Sequence, residues 1–425
     1  MTTASNQEQP TAQEIILTAH TSASADTRKT GLNNNVLVLG CSGSGKTRNH
    51  LMPNLLQEQE SCIVLDSKGA LYDELGAYLA LDGFLVDQID FSSSGSEYST
   101  LGYDPLDHVR MTDGKPNQLD IISVASAICP TDENQSDPFW SLAAANYLSS
   151  FIAYVFEALP QKDWHMDSVI SFFESGSGKI DQAFLDLETQ NPDSFAVSLY
   201  HRARVTRGAE KMHSSIMGII AADLMPFGFD RARNCFRKRR HVDFAEMGRT
   251  PSILFVTIDD LDHSTEKLTN LFVQQAFTQL CDSADHDYPT HQLPVGVRLV
   301  LDDFANLKIP HIDDVLAVVR SRNISFTLIC QTVSQLVANY GDARANSIIG
   351  NCDRQMLLAV QDMATAEYFA PRANKPACRL IETPLGTWWL FERGKRGVAE
   401  PAYQVECHPD YGRLRQINDF MAEVA

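Results

Sequence analysis

The feature that most limits the fold of this chain is a glycine-rich loop directly after an apolar run. Residues 36–47 read V-L-V-L-G-C-S-G-S-G-K-T, so Gly40, Gly45, Lys46 and Thr47 stand at the spacing G-x-x-x-x-G-K-[ST]. In such a loop the backbone N–H groups bind phosphates, the lysine reaches the β- and γ-phosphates, and the threonine hydroxyl binds Mg²⁺. With a strand before it and a helical stretch after it, the loop predicts a site for ATP and Mg²⁺. The assigned nucleotide contacts are Gly40, Cys41, Ser42, Gly43, Ser44, Gly45, Lys46, Thr47 and Arg48.

Length and composition describe a large folded protein with no predicted transmembrane helix. The chain has 425 residues, 44% hydrophobic and 21% charged, which is enough for two or three domains. Its most apolar stretch, residues 142–159, is broken by polar residues such as Asn146 and Glu157, which predicts an amphipathic or buried helix. The N-terminus lacks the pattern of a secretory signal, and the cysteines show no C-x-x-C spacing. These features predict a cytoplasmic protein with reduced thiols.

The charge of the chain is strongly negative, and its basic residues concentrate in two places. A formal net charge of −19 disfavours broad electrostatic attachment to nucleic acid or to anionic lipid. Basic residues cluster in residues 201–207 and again in residues 231–240. The second cluster fits a solvated surface as well as it fits a binding site. Any contact with DNA is therefore expected to be local.

The apolar periodicity predicts an α/β domain interrupted by helices. Strands and helices alternate over residues 36–89, which indicates right-handed βαβ crossovers and a parallel sheet. Helical spacing then fills residues 116–227, after which strand-like runs return. The predicted strands are 36–40, 62–66, 84–89, 252–258, 298–302, 325–330, 355–360 and 387–391. The predicted domains are a polar, partly disordered N-terminal arm (1–30), a nucleotide-binding domain in two parts (31–110 and 244–405), an inserted all-α domain (111–243) and a C-terminal tail (406–425).

A second candidate element is the pair of carboxylates that ends the run R-L-V-L-D-D at residues 298–303. In P-loop enzymes the first acid after such a strand holds Mg²⁺, usually through water, and the next commonly polarises the attacking water. We therefore assign Asp302, together with Thr47, to the metal and Asp303 to the water. An Asp-Asp pair also caps helices and forms turns, so this assignment depends on the phosphate loop in the same predicted sheet.

An ordered set of motifs gives the sequence a family resemblance. The motifs are N-N-N-V-L-V-L-G-C-S-G-S-G-K-T-R, P-N-L-L, I-V-L-D-S-K-G, Y-D-P-L, D-P-F-W, L-D-D-F-A-N-L and I-C-Q-T-V-S-Q-L-V-A-N-Y-G. Through them residues 33–370 resemble the type IV secretion coupling proteins, which recruit DNA for conjugative transfer. The phosphate loop alone would fit many families, whereas several motifs in this order are specific.

The resemblance implies a RecA-like motor that hydrolyses ATP as a hexameric ring. The helical insertion is expected to face a cargo of relaxase and single-stranded DNA, and the ring to dock on type IV secretion channel components. Gln331 matches the family's glutamine that senses the γ-phosphate, and it joins Lys46 and Asp303 as a catalytic candidate. Arg320 or Arg322 is similar to arginines that reach across a subunit boundary. A cation at a helix C-terminus explains these arginines equally well.

The sequence departs from the family pattern in three respects. Asp303 stands where the family usually has glutamate, so slower hydrolysis or a differently placed water is expected. Ala70 replaces the glutamate of the family's Asp-Pro-Lys-Gly-Glu. Most members carry N-terminal transmembrane helices, whereas this sequence reaches the motor soon after Met1. We expect a soluble member held at the inner face of the cell membrane by a separate membrane protein, the alternative being that an anchor was removed.

Three functions follow from the sequence. The first is a cytoplasmic ATPase that couples relaxase–DNA cargo to a secretion channel. The second is another DNA-translocating motor, for example in chromosome or plasmid handling. The third is a nucleotide-gated adaptor that binds ATP and relaxase but hydrolyses little, which the shorter side chain of Asp303 favours.

Overall fold

A computed structural model describes residues 14–57, 60–67, 69–92, 99–131, 137–204, 210–259 and 263–424 of the chain. These residues form two compact units. The first unit comprises the chain up to Gln88, Asp243–Ile258 and the chain from Thr278 onward. The second unit comprises Ile89–Val242 and Asp259–Phe277.

The first unit is built on a nine-stranded sheet. In chain order its strands are β1 (Val36–Gly40), β2 (Ser61–Asp66), β3 (Leu85–Asp90, whose last two residues belong to the second unit), β4 (Ser252–Thr257), β5 (Val297–Leu301), β6 (Ile324–Cys330), β7 (Arg354–Leu358), β8 (Thr387–Glu392) and β9 (Val398–Pro401). Their spatial order is β9-β8-β7-β1-β6-β5-β2-β4-β3. The pairings from β7 through to β4 are parallel, and β8 is antiparallel to both β7 and β9.

Burial explains why the strands of this sheet could be located from sequence. Strands β1, β2, β4, β5, β6 and β7 are buried along their whole length, as expected for parallel strands covered on both faces. Each therefore forms an almost continuous apolar run. The predicted α/β fold with a mostly parallel sheet is confirmed, and every predicted strand is present to within two residues. Strand β9 was not predicted, because it is short, mostly exposed and ends in proline.

Helices and short 3₁₀ turns connect the strands of the first unit. A π-helical turn at Lys46–Leu51 continues as the helix Met52–Leu56. The other helices are Thr27–Thr30, Ala70–Leu81, Phe244–Met247, Ile312–Val318, Val333–Gly350, Met363–Ala373, Ala377–Ile381 and Tyr411–Val424, with the last turns of Glu266–His286. The 3₁₀ turns are Phe304–Asn306, Val319–Arg322 and Val405–Cys407.

Both ends of the described chain pack onto the first unit. Strands Glu14–Ile16 and Ser22–Ser24 pair as a hairpin, and the main chain of Ile16 exchanges two hydrogen bonds of 2.9 Å with the side chain of Asn54. The prediction of a polar, partly disordered arm is therefore wrong from Glu14 onward, while residues 1–13 lie outside the described part of the chain. In the predicted C-terminal tail, Leu414 is fully buried. Apolar residues at both ends pack against the core, which composition alone did not show.

The second unit is largely helical. Its helices are Gln118–Ile128, Phe139–Ala158, Met166–Glu174, Ser177–Gln190, Phe195–Arg204, Glu210–Leu224 and Asp230–Phe236, with the first turns of Glu266–His286. It also has 3₁₀ turns at Pro105–His108, Gln161–Asp163, Met225–Gly228 and His263–Thr265 and a hairpin of Met111–Thr112 with Lys115–Pro116. The helix Phe139–Ala158 is long and apolar enough to cross a membrane, yet 72% of its most apolar window is buried inside the structure. Core helices of globular units pass the same test of length and composition.

The boundaries of the second unit differ from those assigned to the inserted domain. The unit begins at Ile89 instead of residue 111 and includes Asp259–Phe277, which the sequence placed in the nucleotide-binding domain. The physical reason is an aromatic cluster. The ring of Phe272 lies 5.9 Å from that of Phe91 and 5.0 Å from that of Tyr103, so segments far apart in sequence share one core.

Candidate nucleotide-binding site

The candidate site lies at the carboxyl edge of the sheet, within the first unit. Strand register brings four strand ends together there, since the pairs Leu39–Cys330, Leu328–Leu301 and Leu301–Leu65 lie opposite one another. The phosphate loop after β1, Asp302 after β5 and Gln331 after β6 therefore follow the same edge. The carboxyl edge of a parallel sheet is where ligands of such folds bind.

Two glycine positions of the phosphate loop have a clear steric requirement. A Cβ on Gly40 would lie 2.4 Å from the carbonyl oxygen of Leu358 in β7, so no side chain fits there. Gly45 has a φ of 91°, in the left-handed region that favours glycine. The loop thus approaches a neighbouring strand closely and then turns into the π-helical turn that begins at Lys46. Short helical turns of this type are frequent at functional sites.

The ammonium group of Lys46 is held over this loop. Its Nζ donates hydrogen bonds to the carbonyl oxygens of Gly40 at 2.7 Å and Cys41 at 3.0 Å. Thr47 is exposed at the start of the π-helical turn. Ser44 Oγ is buried without a hydrogen-bond partner in the described structure. The loop therefore presents a cation and hydroxyl groups at the position where the sequence predicts the phosphates.

Arg48 contacts the C-terminal segment of the chain. Its Nη2 donates to Glu406 at 2.5 Å and to the hydroxyl of Tyr411 at 3.3 Å. These acceptors, Glu406 above all, raise the pKa of the Arg48 guanidinium. The side chain of Arg48 is thus bound to Glu406 and Tyr411 at the surface. The contact of Arg48 with nucleotide stays a prediction.

Asp302 lies in an environment that disfavours its negative charge. Burial, followed by the charge of Asp303, raises the pKa of Asp302 to about 6, and Asp66 acts in the same direction. The backbone N–H of Asp303, at 3.0 Å from Asp302 Oδ1, and the charge of Lys46 oppose this shift. A divalent cation here would favour the ionised carboxylate, as expected of a metal ligand.

Asp303 follows in an unusual backbone conformation. Its φ of 49° and ψ of 36° are left-handed, a region that aspartate adopts more readily than most residues. Leu307, shortly after it, has its carbonyl oxygen bound at 2.6 Å by both Asn339 Nδ2 and Tyr340 Oη. The ring of Tyr340 also stacks on Phe304 at 5.4 Å. The turn that follows Asp302 and Asp303 is therefore held in place by the helix Val333–Gly350, which follows β6.

The remaining catalytic candidates lie at opposite edges of the sheet. Gln331 is exposed directly after β6, at the carboxyl edge, and Thr332 caps the following helix by accepting from the N–H of Gln335. Arg320 and Arg322 lie in the 3₁₀ turn before β6, at the amino edge. The seven residues of β6 separate the two edges by about 20 Å. The structure therefore does not bring these arginines to the phosphate loop of their own chain.

Two parts of the site were missed by sequence reasoning. Asp66 ends β2 and lies beside Asp302 at the carboxyl edge, where its Oδ2 accepts from the N–H of Leu71 at 2.7 Å. Its position at the end of a predicted strand was an available signal. The second part is a clamp in which Asn339 and Tyr340 both donate to the carbonyl oxygen of Leu307, more than thirty residues earlier. The only sequence signal for this clamp is the string N-Y-G.

The residues at this edge fit a nucleotide with Mg²⁺. Within the described ranges, no group of three or more His, Cys, Asp or Glu side chains could hold a metal ion alone. Mg²⁺ in nucleotide sites typically takes one or two protein ligands and completes its shell with phosphate oxygens and water. Thr47 and Asp302 would supply those ligands, and Lys46 would contact the phosphates.

The mostly parallel sheet and the phosphate loop together define a P-loop nucleotidase fold of the RecA-like type. Within this class, the family described as Type IV secretory system Conjugative DNA transfer matches residues 2–373. The match covers well over half of the sequence, and the chain belongs to this family.

Several solved structures share the fold. Bacterial conjugative coupling protein TrwBdeltaN70, in an unbound monoclinic form, is 15% identical, with a TM-score of 0.69 over 93% of this chain and 89% of that chain. Plasmid coupling protein TrwB in complex with ADP and Mg²⁺ is 15% identical, with a TM-score of 0.68 over 94% and 91%. VirB4 of Thermoanaerobacter pseudethanolicus is 15% identical, with a TM-score of 0.54 over 93% and 97%. A comparison with curated proteins found no match.

Proposed function

We propose that this protein is an ATPase that recruits relaxase and single-stranded DNA to a type IV secretion channel and drives DNA transfer. The observation that carries the proposal is the convergence of the phosphate loop, Asp302, Asp303 and Gln331 at one sheet edge in a member of a conjugative DNA-transfer family. The plasmid coupling protein TrwB, with the same fold, was solved with ADP and Mg²⁺, which supports the choice of cofactor.

Each residue has a distinct part in the proposed reaction. Lys46 and the loop N–H groups bind the phosphates, while Thr47 and Asp302 hold Mg²⁺. When bound at these residues, Mg²⁺ would supply positive charge that offsets the charge of the phosphates. Asp303 orients a water in line with the γ-phosphate and accepts its proton, and Gln331 contacts the γ-phosphate. The clamp of Asn339 and Tyr340 keeps the turn that follows Asp302 and Asp303 in place during this step.

The proposed working form is a hexameric ring in the cytoplasm, bound to the inner face of the cell membrane through a separate membrane protein. In a head-to-tail ring every subunit presents the same heterologous interface to its neighbour. An arginine at the amino edge can then reach a neighbour's site. Arg320 fits this role better than Arg322, because it is exposed and its described hydrogen bond goes to the main-chain carbonyl oxygen of Thr27 at 3.3 Å.

A second candidate function is a nucleotide-gated adaptor that binds ATP and relaxase with little hydrolysis. The observation that favours it is Asp303, whose side chain is one methylene shorter than the family's glutamate. A left-handed backbone at this residue further sets where the short carboxylate can reach.

A steady-state ATPase assay with and without single-stranded DNA separates these functions. The motor predicts turnover that rises on addition of DNA. Tight ATP binding with no turnover under either condition would contradict the motor and support the adaptor. A pull-down with relaxase then distinguishes a conjugation protein from another DNA-translocating motor, which would not retain the relaxase.

A further inference from the structure

The second unit contains a cavity of about 710 Å³ that is separate from the nucleotide site. Its walls come from the end of the helix Phe139–Ala158, from the helix Met166–Glu174 and from the helix Asp230–Phe236. This volume is typical of pockets for small ligands or for a few residues of a peptide. Two arginines of the basic run at residues 231–240 line it, so part of that run is more than a solvated surface.

An aspartate fixes both arginines in the wall of this cavity. Asp167 lies between them: its Oδ1 is 3.2 Å from Arg233 Nε, and its Oδ2 accepts from Arg237 Nε at 2.7 Å. The Asp167 side chain is only 12% exposed, whereas that of Arg237 is 62% exposed. One carboxylate neutralises one guanidinium, so the cluster keeps one positive charge. The remaining N–H groups of Arg237 stay available in a preorganised geometry.

The helix that carries Asp167 adds further hydrogen-bond donors. Nδ1 of His165 accepts from the backbone N–H of Ser168 at 3.1 Å, and its Nε2 lies 3.4 Å from Ser168 Oγ. The hydroxyl of Ser171 also lines the cavity. With Asp167 occupied by the arginines, donors outnumber acceptors along the walls. Such a lining selects an anion.

Much of the rest of the cavity is apolar, and two of its aromatic rings already stack on each other. The rings of Tyr154 and Phe172 are parallel within 4° at 4.2 Å, so each covers a face of the other. Phe184 packs on both of these rings, at 5.3 Å and 5.9 Å. Single-stranded nucleic acid needs open ring faces and a track of cations along the backbone. This cavity offers a single net positive charge and rings that already stack on one another.

We propose that the cavity binds the C-terminal carboxylate of a partner protein together with an apolar last side chain. The carboxylate pairs with Arg237 and Arg233, and the apolar side chain packs against Leu159, Tyr154 and Phe172. Capture of a terminal carboxylate by fixed donors is a known mode of peptide recognition. The site goes beyond the proposed ATPase function and requires no nucleotide.

The test measures binding of a fluorescein-labelled Gly-Ser-Gly-Ser-Leu peptide to the full chain by fluorescence anisotropy. We expect saturable binding of the free acid, and about tenfold weaker binding of the C-terminal amide, because the charged pair is lost. Replacing the last leucine of the peptide with serine should weaken binding about fivefold, because less apolar surface is buried. Equal binding of acid and amide, or no binding of the acid up to about 1 mM, would overturn the proposal.

Two variants and a matched control localise the site. Arg237→Gln should weaken binding of the free acid about tenfold, while Arg239→Gln, an exposed arginine outside the cavity, should leave it unchanged. Ser171→Trp should block binding by filling the cavity from an exposed position, with the ion cluster intact. Equal effects of Arg237→Gln and Arg239→Gln would contradict the site. Displacement of the peptide by oligothymidylate in an Arg237-dependent manner would assign the cavity to nucleic acid instead.

Discussion

The two edges of the sheet in the first unit use charge in opposite ways. At the carboxyl edge, Asp302 is partly buried beside Asp303, and Lys46 contacts only main-chain carbonyls among its described hydrogen-bond partners. At the amino edge, Arg322 is bound by Asp285 through Nε at 2.9 Å and Nη2 at 2.7 Å. The charged groups at the carboxyl edge can thus bind a ligand, whereas at the amino edge an ion pair joins the 3₁₀ turn before β6 to the helix Glu266–His286.

This difference separates two arginines that sequence alone could not rank. Arg322 is a structural residue by its contacts, since it also donates to the carbonyl oxygen of Val318 at 3.1 Å. Arg320 is exposed two residues away in the same turn. The comparison therefore predicts large effects on turnover at the carboxyl edge, and at the amino edge an effect on turnover only for Arg320.

The largest predicted effect is at Lys46. Lys46→Ala removes the cation at the phosphates and should lower ATP turnover by about 10³-fold, and Thr47→Ala should also abolish turnover by removing the metal hydroxyl. Phosphate release by purified, folded protein is the measurement. Lys29→Ala is the matched control, because Lys29 is 73% exposed and pairs with Asp26 outside the phosphate loop. Full activity in Lys46→Ala would remove the distinction between the two edges.

Asp303 is expected to act on the chemical step alone. Asp303→Asn should lower turnover roughly 10²-fold and leave ATP affinity within a few-fold, because the lost contact exists mainly in the transition state. Asp303→Glu should hold or raise turnover by restoring the longer carboxylate. Asp314→Asn, a 79% exposed carboxylate, serves as control. If neither change at Asp303 alters the rate, its role is structural.

The strands could be predicted because most of them are buried on both faces, and the phosphate loop because its glycines are sterically required. Other parts depend on contacts between distant segments. The neighbours of Asp302 follow from strand register, and the partner of Arg322 is Asp285 in a separate helix. The aromatic cluster of Phe91, Tyr103 and Phe272 likewise moves the boundary between the two units. Sequence periodicity locates elements, but it does not determine such pairings.

Asp302 should make the stability of the nucleotide-free protein depend on pH. Burial and Asp303 raise its pKa in the folded chain to about 6, above its ordinary value of 3.8. Between these two pKa values the folded state keeps a proton on Asp302 that the unfolded state has released. The contribution of Asp302 to stability is therefore full below pH about 4 and is lost as the pH rises through 6. Above that pH the ionised Asp302 should destabilise the nucleotide-free protein by roughly 3 kcal/mol.

Asp302→Asn tests this sign directly. In thermal unfolding without nucleotide, the variant should gain stability relative to the parent between pH 4 and pH 7, and it should lose the stabilisation that ATP with Mg²⁺ gives. Asp313→Asn is a control from the amino edge, because Asp313 is paired with Arg344 at 3.1 Å. A stability difference between Asp302→Asn and parent that does not change with pH would show that Asp302 titrates normally.

The smallest predicted effects distinguish the two amino-edge arginines. Arg322→Ala breaks a partly buried ion pair with Asp285, whose side chains are 23% and 35% exposed, and should reduce the free energy of unfolding by about 1 kcal/mol. Arg320→Ala should leave stability unchanged, since the side chain is exposed and its described hydrogen bond, to the carbonyl oxygen of Thr27, is long at 3.3 Å. Chemical denaturation of both variants checks this pair of expectations.

ATPase activity should also distinguish Arg320 from Arg322. If Arg320 serves a neighbouring subunit, ATPase activity per subunit should rise with protein concentration and with single-stranded DNA, because a charge of −19 on every copy opposes assembly. Arg320→Ala should flatten that rise while ATP still binds, and Arg322→Ala should keep it. The reverse assignment would be established if Arg322→Ala alone flattened the rise at full folded content. Constant activity per subunit across a wide dilution series, in protein that sedimentation shows to be monomeric throughout, would exclude any arginine acting between subunits and leave the amino edge with a structural role only.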